Sequence, residues 1–131
     1  MRILVADDEP NVRYALRSLM DERPEYRIVA EAVDAEKLLA QTEAACPDLV
    51  LLDWELAGLA ADDMRVTLRK LCPDLWIIVL SGRPEERVAA LAAGADAFVS
   101  KMDYPEQLLA VIDDCRSRHQ ALPGDAGAAE A

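Results

Sequence analysis

The chain has 131 residues, enough for one compact domain and too few for two. An apolar fraction of 53% excludes wholesale disorder, and 30% charged residues suit a soluble domain. With 14 basic and 25 acidic residues the net charge is −11, which argues against direct nucleic-acid binding, because that affinity comes from Lys and Arg neutralising phosphates.

Apolar runs and amphipathic stretches alternate along the chain. The run at 3–6 ends abruptly in Asp7 and Asp8, and further runs lie at 28–30, 49–52, 76–80 and 97–99. All are too short for helices, and their continuous apolar character suits parallel strands buried on both faces. Between them the period lengthens. Val12, Ala15, Leu16, Leu19 and Met20 have helical spacing behind Pro10, which suits a first turn. Asp34 is the expected N-cap of a second helix carrying Leu38, Leu39 and Thr42, which must stop by Cys46-Pro47. Met64, Leu68 and Leu71 mark a third, ended by Pro73. Val88, Leu91 and Ala92 mark a fourth, with Gly94 where a left-handed C-cap is needed. Leu108, Leu109, Ile112 and Cys115 mark a fifth, which opens near Pro105.

Five strand–helix units in series predict parallel pairing and right-handed crossovers, hence an α/β fold, a doubly wound (βα)5 three-layer sandwich. Cys46-Pro47-Asp48-Leu49 and Cys72-Pro73-Asp74-Leu75 each lead from a helix into a strand, as the same connection used twice. The ordered domain is expected over 1–120. Residues 121–131, built of Gly, Ala, Asp, Glu and Pro, are expected to be a disordered tail or the start of a linker. Three cysteines with no Cys-x-x-Cys spacing and one histidine predict buried or half-buried reduced thiols, neither a disulfide framework nor a zinc site. No apolar run approaches bilayer length, and the first carboxylates arrive too early for a signal peptide, so a cytoplasmic domain is expected.

In open parallel sheets, sites form beyond the carboxyl ends of the strands. The residues there are Asp7, Asp8 and Glu9 after the first strand, and Asp53, Trp54 and Glu55 after the third. Ser81 and Gly82 follow the fourth, and Ser100 and Lys101 the fifth. Three gathered carboxylates repel: two unit charges about 4 Å apart cost about 4 kcal/mol at an effective dielectric of 20. A proton or a hard cation must relieve this, and oxygen ligands with room for water suit Mg2+. A carboxylate beside Mg2+ can attack a phosphoryl group, with a hydroxyl and an ammonium on the phosphate oxygens. Taken singly, each aspartate is more ordinarily a cap or a turn residue; their joint placement at strand ends is what points to a site.

The Asp7-Asp8 pair, Asp53 after LVLL, Ser81 after IIVL and Lys101 after GADAFVS resemble the receiver domain of two-component response regulators, over about residues 2–118. The resemblance implies the flavodoxin- or CheY-like fold with strand order 2-1-3-4-5. It implies Asp53 as phosphoacceptor, Asp7, Asp8, Asp53 and the Glu55 backbone carbonyl as Mg2+ ligands, and Ser81 and Lys101 as phosphoryl contacts. Ser81 and Phe98 would be the switch pair, Phe98 being the aromatic that rotates inward on activation. A sensor histidine kinase or histidine phosphotransfer protein would donate the phosphoryl group, and a homodimer or another partner would read the switched surface. The chain would take part in its own phosphorylation and slow autodephosphorylation without being a turnover enzyme. KMDYPEQLL is similar to receivers of the LuxR-type subfamily, which usually carry a DNA-binding helix-turn-helix after a linker.

Two positions depart from the family pattern. Met102 follows Lys101 where proline is common, so a trans bond is expected. Ala57 precedes Gly58 where proline often stands, which should loosen that loop. Trp54 is expected either to pack over the loop or to shield the acceptor, and His119 to lie on the surface. A non-switching interaction module conflicts with the full set of side chains. An aspartate-nucleophile phosphatase would need a second Asp two residues after the nucleophile, where Glu55 stands. An acidic first loop opposes flavin phosphate binding.

Overall fold

The computed structural model describes residues 1–56, 58 and 61–130, the side chains of 61–64 and 119–130 excepted. Ala57 therefore lies outside the described residues, as do the side chains of Met64 and His119. The strands are β1 (Arg2–Ala6), β2 (Arg27–Ala32), β3 (Leu49–Asp53), β4 (Trp76–Ser81) and β5 (Ala97–Ser100). The helices are α1 (Pro10–Asp21), α2 (Ala35–Ala45), α3 (Ala61–Leu71), α4 (Arg87–Ala92) and α5 (Glu106–Glu130), with 3-10 turns at Pro84–Glu86 and Lys101–Asp103. All strand pairs are parallel, in the order β2-β1-β3-β4-β5, as expected.

The unbroken apolar runs are explained by the two-residue period of a strand. Leu4, Val50, Leu52, Ile77, Val79 and Phe98 point to a core closed by Leu38 of α2, Leu68 of α3 and Ala90 of α4. Their neighbours Ile3, Val5, Leu49, Leu51, Ile78, Leu80 and Val99 point the other way, onto Leu16 and Met20 of α1 and Leu108, Ile112 and Cys115 of α5. Each layer removes apolar surface at about 25 cal/mol per Å2, so both faces of the three central strands must be apolar.

Local signals operate as read. The Asp34 side chain accepts from the Lys37 amide at 2.8 Å and caps α2. Pro10 opens α1, and Gly94 sits at φ +102°, stopping the chain just past α4. Lys101–Met102 is trans, and the cis bond is Tyr104–Pro105. The periodicity of α4 misleads, however. Ala90 is its buried residue, while Val88 is 77% and Leu91 37% exposed. A helix reading RVAALA is apolar nearly all round, so its pattern does not select a face.

The backbone of α5 runs to Glu130; the alanines there are strong helix formers that offset Pro123 and Gly124. One expectation is corrected. Cys46 and Cys72 form a disulfide, and only Cys115 is the predicted buried free thiol. Strand order is the physical reason. Leu49 pairs with Trp76 across β3 and β4, so the duplicated Cys-Pro-Asp-Leu connections enter adjacent strands side by side and bring the two Cα atoms to 5.7 Å, a bridging distance.

Candidate functional site

The strand order reverses between β1 and β3, and the site lies beyond the carboxyl ends of these strands. Asp7 follows β1 directly and is 0% exposed; Asp53 closes β3 and is 3% exposed; Asp8 is exposed. One carboxylate oxygen from each lies within 4.8 Å of the others. Burial of Asp7 and Asp53 is tolerated because specific donors face them. The Glu9 amide donates to Asp7 Oδ1 at 2.9 Å and the Glu55 amide to Asp53 Oδ1 at 3.1 Å. From the end of β5, Lys101 Nζ reaches Asp7 Oδ2 at 3.0 Å and Asp53 Oδ1 at 3.3 Å.

These contacts set the proton affinities. Burial raises the pKa of Asp53, and Asp7 adds to the rise, outweighing the opposing Glu55 amide and Lys101. Burial alone would lower that of Lys101, but Asp7 and Asp53 together raise it, so the ammonium stays charged. The Tyr104 hydroxyl is held protonated by burial, then by the nearby charges of Asp7 and Asp53, and has no hydrogen-bond partner.

Asp8, Glu9, Asp53, Glu55, Gly82 and Lys101 line a cleft of about 230 Å3. A larger hollow of about 500 Å3 between α1 and β2, lined among others by Tyr14, Arg17, Arg23 and Arg27, holds none of the expected site residues. The donor set suits a hard divalent cation: three carboxylates converge, and no thiol or imidazole is in the group.

The structure thus brings Asp7, Asp8, Asp53 and Lys101 together and puts Glu55 on the cleft wall. Ser81 closes β4 one residue beyond Leu80, the partner of Asp53. Its hydroxyl is not aimed at the carboxylates: Oγ donates to Glu86 Oε1 at 2.9 Å and accepts from the Arg83 amide at 2.9 Å. Phe98 is 6% exposed and packs within the core on the side of α2, α3 and α4. Trp54 is half-buried and packs against the core. Sequence reading missed Arg13, whose Nη1 donates to the Asp7 carbonyl at 2.8 Å, and Glu86. Arg13 lies one helical turn into α1, where spacing alone gives it no partner.

Residues 3–113 match the model of the response regulator receiver domain. The nitrate/nitrite response regulator NarL of Escherichia coli (strain K12) is 32% identical over 131 residues, covering 98% of this chain and 58% of NarL. The chain spans about half the length of the curated relatives it matches. A LuxR-family two-component response regulator from Aurantimonas sp. SI85-9A1 superposes with a TM-score of 0.78 at 30% identity, covering 86% of this chain and 82% of that one. The response regulator TrrA of Thermotoga maritima, solved with Mg2+ and BeF, gives 0.76 at 32% identity, covering 87% and 97%. Fold, carboxylate cluster and these likenesses agree, and the chain belongs to the receiver domain family of two-component response regulators, a family of regulatory domains similar here to its LuxR-type members.

Proposed function

We propose that Asp53 accepts a phosphoryl group from the phosphohistidine of a sensor kinase or histidine phosphotransfer protein. The observation that carries this is the single lysine spanning two buried carboxylates, Lys101 Nζ at 3.0 Å from Asp7 and 3.3 Å from Asp53, with Asp8 beside them at the open edge. One Asp53 oxygen would attack phosphorus in line as the bond from phosphorus to the imidazole nitrogen breaks; the nitrogen keeps that electron pair. Asp7, Asp8, Asp53 and the Glu55 carbonyl would hold Mg2+. When bound there, the cation supplies charge neutralisation for the phosphoryl oxygens. Lys101, already charged and oriented by two carboxylates, supplies a further positive group at the same oxygens without reorganisation.

The acyl phosphate so formed would hydrolyse slowly at the same site, making the chain a reactant in its own cycle. Ser81 would turn to the phosphoryl group, shifting the start of α4 and the surface it shares with β5 and α5. That surface would recruit a partner or a second copy; Val88, Leu91 and Met102 (81% exposed) are its apolar groups. We take 1–120 as the receiver and 121–131 as a tail or the start of a linker. Among the described residues no helix is long and apolar enough to cross a membrane, and a cytoplasmic location suits such a module. Incubation with acetyl phosphate and Mg2+, read by intact mass, should give one phosphoryl adduct that is absent in Asp53→Asn. An adduct of equal yield in that variant would refute the assignment.

A further inference from the structure

We propose that Glu86 is a positioning residue that holds the Ser81 hydroxyl in its resting orientation and competes with the phosphoryl group for its proton. This rests on the reading of Asp53 as phosphoacceptor and Ser81 as the residue that follows it. A serine hydroxyl has one proton to give. Here the short contact is with Glu86 Oε1 at 2.9 Å, against 3.4 Å for the Arg83 carbonyl, and a bond to a carboxylate is the stronger kind. Ser81 is 0% exposed, so its hydroxyl has few acceptors to choose among. The hydroxyl can leave Glu86 only by exchanging it for another acceptor, and a phosphorylated Asp53 is an anion of that kind.

The serine exchange is the step that separates the resting arrangement from the phosphoryl-bound one in this chain. Glu86 ends the Pro84–Glu86 turn, and the adjacent Arg87 reaches the Phe98 carbonyl at 3.5 Å, so releasing Glu86 frees the segment that joins β4 to β5 through α4.

The test uses the full chain with beryllofluoride in Mg2+ as the probe, titrated by tryptophan emission. Glu86→Ala should bind about tenfold more tightly than wild type, because a competing charge-assisted bond is removed. Glu86→Gln, which keeps a weaker acceptor of the same shape, should fall between them. In a Ser81→Ala background, Glu86→Ala should bring no gain. A gain of equal size there would mean that Glu86 acts through its charge alone, and the proposal would fall. Unchanged affinity in Glu86→Ala, with a wild type that still takes the adduct from acetyl phosphate, overturns the Glu86 role and leaves the phosphoacceptor reading intact. No adduct on wild type overturns both. Should Glu86→Ala unfold, Glu86→Gln and its Ser81→Ala double variant decide by the same criteria.

Discussion

Replacing Lys101 by methionine keeps the side-chain stem and deletes the one ammonium that bridges Asp7 and Asp53. At 3.0 Å and 3.3 Å each attraction is about 5 kcal/mol at an effective dielectric of about 20. Most of that is offset when the ammonium returns to water and because the lysine side chain is 22% exposed. What remains is two buried carboxylates whose mutual repulsion, at up to 4.8 Å and an effective dielectric of about 20, is at least about 3.5 kcal/mol. Removing one partner of a buried pair costs about 3–5 kcal/mol, so a loss near the lower end, about 3 kcal/mol, is expected without divalent metal. Urea unfolding followed by circular dichroism measures this. Mg2+ should then stabilise the variant more than it stabilises wild type, since the cation relieves a repulsion that lysine no longer balances. A loss below about 1 kcal/mol, or equal stabilisation of both proteins by Mg2+, would refute the electrostatic account of the pocket.

Asp53 is a net cost to folding at neutral pH. Its raised pKa means that its stabilising contribution is present only below the unfolded carboxylate range and is lost as pH rises through the folded value. Asp53→Asn, which keeps an oxygen for the Glu55 amide, should therefore stabilise the metal-free chain in urea unfolding, with destabilisation as the contrary result. Burial pushes the Cys115 thiol up to about 11, with Asp96 and Asp114 adding to the rise. Its alkylation by iodoacetamide at neutral pH should be at least about tenfold slower in the native chain than in urea, with equal rates as the contrary result. Breaking the Cys46–Cys72 bond, which spans a sequence separation of 26, should lower stability by up to about 3.5 kcal/mol on loop entropy, and an unfolding midpoint insensitive to reductant would contradict the bridge.

Most of the site was legible because its residues stand directly after apolar runs. Asp7, Asp53, Ser81 and Lys101 each follow or close a strand, and a parallel sheet puts all such positions on one edge. The features that escaped depend on where elements lie relative to each other. The Cys-Pro-Asp-Leu duplication was visible as a repeated connection, yet only the adjacency of β3 and β4 turns it into a disulfide. Glu86 is five residues from Ser81, a distance with meaning only once the loop folds back through a 3-10 turn. The burial of Phe98 depends on packing against α4, a helix whose all-round apolar sequence hides which side faces the sheet. β2 was underestimated at both ends, Arg27–Ala32 against 28–30, because it is an edge strand with half-buried residues and Glu31 in its run.

The claim on which the account rests is that the carboxylate of Asp53 becomes the acyl phosphate. Treating the acetyl-phosphate-reacted chain with borohydride reduces an acyl phosphate to an alcohol, and peptide sequencing then locates it. Homoserine at position 53 and nowhere else is the predicted result. Homoserine at position 7 or 8, or a phosphoryl group that survives borohydride on a hydroxyl such as Ser81, would contradict it.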